Sequence, residues 1–385
     1  MKEPKLRFPE FTDDWKQYKF GDIFTVSQGL QIPIDKRFLE DGENRFFYIT
    51  NEFLKDTCST AYYIENPSPS VLCNNEDILM TRTGNTGIVV TNVSGCFHNN
   101  FFKIKYDNHN FSKNYIYYLL NTKRMQNTIL KNAGSSTIPD LSHKSFYQII
   151  GYFPKQLMEQ EKIGSLLLNV DNLIQSAEKE LEGYRELKQG MLQKMFPKKG
   201  EKVPEIRFPE FNGDWEQRKL EDIANRFDNL RVPVASSLRI KGTTPYYGAN
   251  GIQDYVDGFT HEGEYVLVAE DGANDLINYP VNYVNGRIWV NNHAHVLQGK
   301  DNVVNNRYLS YAISRINMQS VLVGGGRAKL NAEAMMNLNL FLPSIAEQKK
   351  IGEYFSNLDN LITLQQKELD GYKELKKGLL QQMFC

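Results

Sequence analysis

The chain has 385 residues, of which 41% are hydrophobic and 12% aromatic, enough for two or three domains with their own cores and too apolar for a disordered chain. A formal net charge of −1 argues weakly against nucleic acid, which usually selects a basic domain, and no apolar run suits a signal peptide or a membrane span, so a soluble protein is expected. Cys58, Cys73, Cys96 and Cys385 lack CxxC spacing and pairing between the halves, which argues against a disulfide framework or structural zinc and for a reducing cytoplasm.

Residues 4–24, PKLRFPEFTDDWKQYKFGDIF, open the chain, and they return at 204–224 as PEIRFPEFNGDWEQRKLEDIA. Between this opening and residue 150 lie alternating apolar segments at 45–50, 77–82, 87–93 and 99–105 that predict strands, then an amphipathic helix over 112–130. From 156 to 197 an apolar stripe (Ile163, Leu166, Val170, Leu173, Ala177, Leu181, Tyr184, Lys188, Met191, Met195) steps by three and four without proline until Pro197, the pattern of a long helix with one buried seam. The second half repeats the plan with different residues. Strands are predicted at 264–270 and 286–298 and a matching helix at 305–322, while Ile351, Tyr354, Leu358, Leu361, Gln365, Leu369, Tyr372, Lys376, Leu379 and Met383 mark a second long helix over 344–385. About 40 residues at 1.5 Å each make a rod of roughly 60 Å.

The two long helices match at an offset of 188 residues, against 200 for the openings, and the stretches between show little identity. Two matched frames therefore hold two unlike inserts, a repeat too long for a solenoid. Each stripe needs a partner, and an antiparallel pairing of the copies, with an insert at each end, is the expected arrangement. The expected fold is α+β, two mixed α/β domains separated by two long antiparallel coiled-coil-like helices with a pseudo-two-fold internal repeat. Its segments are 1–155, 156–197, 198–343 and 344–385. Matching exposed residues in EGYRELKQG and DGYKELKKG suggest an outer face that docks a partner.

Corresponding loops of the inserts are rich in small polar and basic residues: RTGNTG (82–87) with EDGAND (270–275), HNN (98–100) with VNN (290–292), and GSSTIPDLS (134–142) with GGGRAKLNA (324–332). Such residues approach phosphates or bond base edges, and they also simply make turns. Signatures of catalysis are missing. There is no GxxxxGK[ST] loop, His261–Glu262 has no second histidine, and Gly324–Gly326 lack dinucleotide-fingerprint spacing. His293 and His295 read as a strand pair, and Asn66-Pro67-Ser68-Pro69 is not an adenine methyltransferase tetrad. The expectation is a chain without catalysis, metal or bound cofactor of its own.

The order of these features resembles the specificity subunit of type I restriction–modification systems: LRFPEF…W openings, LMTRTGNTG in the first insert, and EQxKI, DNLI and GYxELKxGxLQxMF in each long helix. The resemblance covers essentially the whole chain and implies two target-recognition domains that read a bipartite, asymmetric double-stranded DNA target. It further implies docking of two adenine-N6 methyltransferase subunits, with S-adenosylmethionine bound there, and of restriction–translocation subunits through them. Target adenines would be flipped into the docked enzymes. The helix pair would space half-site centres by about one duplex turn, roughly 10 bp, and the isolated subunit would bind DNA weakly. A rival reading is an assembly protein whose heads bind proteins or glycans on a coiled-coil spacer.

Under this resemblance the expected DNA-facing residues are Arg82, Thr83, Asn85, Asn99, Asn100, Ser135, Ser136 and Thr137 in the first head. In the second they are Tyr246, Tyr247, Asn250, Asn274, Asn291, Asn292, Arg327 and Lys329. Tyr184, Arg185, Lys188, Tyr372, Lys373 and Lys376 are candidates for partner docking, with a solvated helix face or the helix–helix seam as the alternative. Trp15 and Trp215 are expected to anchor each half structurally.

Overall fold

The computed structural model describes residues 3–55, 59–134, 137–324 and 328–385. Two compact units emerge, Met1–Ala177 with Glu368–Cys385, and Glu178–Lys367. The first head runs through β1 (Lys16–Lys19), α1 (Phe20–Ile23), β2 (Phe24–Gln28), β3 (Arg45–Ile49), β4 (Tyr63–Glu65), β5 (Leu72–Cys73), β6 (Ile78–Thr81), β7 (Val89–Val90), β8 (Gly95–Phe97), β9 (Phe101–Tyr106), α2 (Lys113–Asn121), α3 (Lys123–Ala133), α4 (His143–Tyr147) and β10 (Ile150–Phe153). Helix α5 (Leu157–Lys194) follows. The second head contains β11 (Glu216–Lys219), α6 (Leu220–Ile223), β12 (Ala224–Arg226), β13 (Lys241–Gly248), β14 (Gly251–Val256), β15 (His261–Ala269), β16 (Val281–Val290), β17 (Ala294–Gly299), α7 (Asn306–Ser314), α8 (Ala332–Met336) and β18 (Asn339–Leu342), before α9 (Ile345–Gln382).

In the first unit the strands form sheets of order β2-β9-β6-β7 and β4-β3-β8-β5, plus the β1-β10 pair; in the second, one sheet of order β12-β17-β15-β16-β13-β14 and the β11-β18 pair. Most ladders are antiparallel, but β3 pairs parallel with β8, and β13 with β16. Strand β6, ILMT, is buried at every position, as a central strand covered on both faces requires. Cys73 and Cys96 are buried free thiols, pushed up to about 11 and about 12 by burial; Cys58 lies outside the described residues.

Each core is completed by pieces of both long helices. Phe24, Phe146 and Phe153 pack with Ile163, Leu167 and Val170 from the start of α5 and with Leu379 near the end of α9 and Met383 and Phe384 just after it. Val266, Val268 and Leu297 pack with Ile351, Phe355 and Leu358 from the start of α9 and with Met195 and Phe196 just after α5. Burying one such phenylalanine stabilises by about 1.5–3 kcal/mol. A division into separate head and helix segments therefore misses the packing, because each helix is shared between the units.

Four expectations are corrected. The helix expected over 112–130 breaks at Thr122, whose extended backbone (φ −65°, ψ 142°) leaves the helical region while its hydroxyl accepts from the Met125 N–H and caps α3. Its counterpart over 305–322 ends at Ser314 with only a 3₁₀ turn at Met318–Ser320 beyond, so α3 belongs to the first head alone among the described residues. The segment 286–298 is two strands, divided where Asn291 Oδ1 accepts from the His293 N–H at 2.8 Å and turns the chain. In the long helices Leu173 and Leu361, expected in the seam, are 45% and 42% exposed; a straight α-helix drifts away from a fixed seven-residue repeat.

Candidate nucleic-acid interface and docking surfaces

The repeated motifs build one joint twice. Arg7 forks onto Glu159 (2.7 and 2.9 Å) and Arg207 onto Glu347 (2.8 and 2.8 Å), tying each RFPEF opening to the long helix that follows its head. Both glutamates are buried. Gln160 accepts from the Ser112 N–H and donates to the Pro154 carbonyl, as Gln348 does with Asn305 and Pro343. Lys162 reaches Glu10, and Lys350 reaches Glu210. At Gly164 an added Cβ would stand 2.7 Å from Asn114 Cβ, and at Gly352 it would stand 3.0 Å from Arg307 Cβ, so the glycines let α5 and α9 press against α2 and α7. Trp15, whose Nε1 donates to Glu159, and Trp215 are both buried in this joint.

A second matched device fixes the helix segments to one another. Asp171 accepts from the Tyr118 hydroxyl (2.7 Å) and pairs with Lys376 (2.6 Å). Asp359 accepts from the Tyr311 hydroxyl (2.6 Å) and pairs with Lys188 (2.5 Å). Burial, reinforced by the hydrogen bond donated to the aspartate, raises both tyrosines far above the ordinary phenol range. Of the docking candidates, Lys188 and Lys376 are thus seam residues. Arg185 donates to Gln366 Oε1 at 3.1 Å and Tyr372 to Glu368 at 2.7 Å, while Tyr184 is half-buried and Lys373 exposed. Gly183 and Gly190, matched by Gly371 and Gly378, have nothing within 4 Å of an added Cβ among the described residues. With Leu187 and Leu375, 45% and 48% exposed, they form the stripe Gly-x3-Leu-x2-Gly on each helix.

In the first head the three expected loops converge. The Arg82 N–H donates to the Asn100 carbonyl (2.7 Å), the Leu141 N–H donates to the Arg82 carbonyl (2.8 Å), and Thr86 Oγ1 donates to the Pro139 carbonyl (2.7 Å). Arg82 itself is held, its guanidinium 2.8 Å from Asp140 and 5.6 Å above the Phe102 ring centroid. Thr83 bridges to Asp140, and its carbonyl accepts from Asn51 Nδ2. Asn85 and Thr137 are exposed, whereas Asn99 and Asn100 are half-buried. The Oδ1 atoms of Asn99 and Asn51 are enclosed without a hydrogen-bond partner among the described residues. Ser135 and Ser136 lie outside the described residues.

The second head builds the same junction with its charges reversed. The Glu270 N–H donates to the His293 carbonyl (2.8 Å), the Leu330 N–H donates to the Glu270 carbonyl (2.7 Å), and Lys329 pairs with Glu270 at 2.9 Å while its backbone bridges to Asp271. Arg231 also reaches Glu270 (2.6 Å), and His295 contacts Asp228 (2.7 Å). His293 contacts Asp271. Asp228, Glu270 and His295 offer ligand atoms within 4.8 Å of one another, with Arg231 and Lys329 already beside the carboxylates. Burial raises Asp228 and Glu270, but hydrogen bonds and neighbouring positive groups outweigh it and hold both below the carboxylate range.

Two expected contacts in this head are corrected. Tyr246 is 1% exposed, stacked near Trp289 with Arg239 over its ring, its hydroxyl spanning the Val234 N–H and carbonyl. It is the counterpart of buried Tyr48, which holds Leu30 and Ile32 beneath Arg37 in the same way. Asn291 is 4% exposed and spent on its turn. Both are therefore framework residues. Tyr247 is half-buried, and Asn250 staples its neighbour loop by accepting from the Asn274 N–H and donating to the Gly272 carbonyl, both at 2.9 Å. Asn274 and Asn292 are exposed; Arg327 lies outside the described residues. Asn51 had no local sequence signal, since its partner Thr83 lies 32 residues away, and Arg231 reaches Glu270 across 39 residues.

A frame built twice around two unlike loop-bearing heads defines a modular specificity scaffold. Residues 12–183 and 212–372 each match the type I restriction modification DNA specificity domain. The chain belongs to this family. A Haemophilus influenzae protein described as a type I restriction enzyme specificity subunit is 40% identical over 174 residues, which span 41% of this chain and 45% of that relative. The type I restriction enzyme MjaVIII specificity subunit of Methanocaldococcus jannaschii is 24% identical over 417 residues, covering 97% of this chain and 92% of that relative. In fold, the S subunit of the M. genitalium type I restriction-modification system is similar with a TM-score of 0.74 at 17% identity, covering 100% of this chain and 99% of that one. Among the described residues no helix is long and apolar enough to cross a membrane.

Proposed function

We propose that this chain is the non-catalytic DNA-reading subunit of a type I restriction–modification complex, in which each head reads one half of a bipartite double-stranded target. The observation carrying this reading is the pair of junctions around Arg82–Asp140 and Glu270–Lys329, where one backbone arrangement presents different polar loops. Exposed Asn85 and Thr137 in one head and Asn274 and Asn292 in the other are available for phosphates or base edges.

Two adenine-N6 methyltransferase subunits would dock on the long helices and bring S-adenosylmethionine and the methyl-transfer chemistry; restriction subunits would join through them. The support is the twice-built Gly-x3-Leu-x2-Gly stripe, since an interior helix glycine costs roughly 0.5–1 kcal/mol relative to alanine and no described group of this chain needs the space. Similar stripes suit two copies of one partner.

The test is modified-base sequencing of DNA from cells expressing the chain with its methyltransferase. A bipartite N6-methyladenine motif is expected. Loss of that motif's specificity without loss of methyltransferase binding on altering the loops would place reading in the heads; an unaltered motif would refute it.

A further inference from the structure

The first unit carries a groove of about 1060 Å³ that the repeated plan does not require. It lies between α3 and the end of α9, lined by Lys123, Arg124, Lys131, Lys373, Lys376 and Lys377, with Leu380 and Phe384 along the apolar side and no aspartate or glutamate in its lining. Lys376 is committed to Asp171 and Lys377 to Glu374, but Lys123 and Lys131 have no ion pair among the described residues. The amino end of α3 also faces its first-turn cations Lys123 and Arg124, which are placed against the helix dipole and raise the local positive potential.

Among the described residues the second unit has no counterpart of α3, and its residue corresponding to Thr122 is Arg315. That side chain lies over the Phe196 ring (5.2 Å) and donates to the Pro197 carbonyl (3.2 Å). Among the described residues α3 belongs to the first unit alone, so the α3 wall of the groove has no counterpart in the second. Its cations call for carboxylates, and the Leu380–Phe384 side calls for an apolar side chain between them. A DNA backbone supplies anions, as phosphates, but no apolar side chain.

We propose that this groove binds one acidic protein segment per chain, with a leucine-like side chain seated against Leu380 and Phe384. This surface is separate from the DNA-reading loops and does not depend on that reading. The test is fluorescence anisotropy of the purified full-length chain with a fluorescein-labelled 14-residue peptide of glutamates carrying two leucines four positions apart. The same peptide with serine for leucine and a labelled 20-bp duplex serve as comparisons.

The leucine peptide is expected to bind at one site per chain, with affinity falling about tenfold or more in Lys123→Glu/Lys131→Glu and in Leu380→Ser, and unchanged in Lys349→Glu, an exposed α9 control. Circular dichroism would establish that the variants fold. No binding, equal binding of the serine peptide, preferential binding of the duplex, or insensitivity to the α3 variants would each overturn the proposal.

Discussion

Arg7 and Glu159 show how a single pair can govern a whole head. The carboxylate is buried, so Arg7→Ala leaves a charge that neither water nor another cation can neutralise, and the expected loss is about 3–5 kcal/mol in equilibrium unfolding. The reversed pairs Arg82–Asp140 and Lys329–Glu270 are partly exposed and worth less, on the order of 1 kcal/mol in a double-mutant cycle. Exchanging the charges as Arg82→Glu with Asp140→Lys should restore most of the stability lost by Arg82→Glu alone. Asp228 and Glu270 add a pH dependence whose sign follows from their lowered values. Groups depressed in the folded state stabilise fully above their ordinary values of 3.8 and 4.5, and that contribution fades as pH falls through the lower folded values. Acidification from about pH 5 should therefore destabilise wild type more steeply than Asp228→Asn, as thermal melts across that range would register. None of these partners was legible in the sequence, because each pair joins residues far apart in the chain. Tyr246 misled for the opposite reason: glycine, asparagine and a neighbouring tyrosine resemble a binding loop, while its role as counterpart of Tyr48 is visible only through shared hydrogen bonds.

At the scale of elements, periodicity carried far. Both 38-residue helices were marked by apolar steps and proline boundaries, because a helix records its buried face locally. The break at Thr122 and the turn at Asn291 were not marked, since each depends on a side chain choosing one backbone hydrogen bond over continuation of the element. The helix glycines divide into two kinds with opposite expected behaviour. Gly164→Ala must displace α2 backbone and should cost about 1–3 kcal/mol. Gly183→Ala and Gly371→Ala fill open space and should stabilise the isolated chain by roughly 0.5–1 kcal/mol each, yet weaken co-purification with the methyltransferase. Stabilisation with undiminished co-purification would leave the stripe without a docking role.

For the whole molecule, the expectation concerns independence of the heads. Replacing residues 25–150 with the corresponding insert of another family member should change one half of the methylated motif and leave the other intact, read by modified-base sequencing; a change in both halves would count against separate reading. The duplication itself was plain in the sequence, but the exchange of helix ends was not, since nothing in Met383–Phe384 or Met195–Phe196 says which core receives them. That exchange has a historical consequence. A half-length forebear would have carried a sticky tail fitting its twin's cavity better than any site within its own reach, and so would have existed as a reciprocal couple. Splicing the two genes end to end would leave every buried contact undisturbed while freeing the two heads to drift apart, so that two unlike heads could descend from a symmetric ancestor without a new fold.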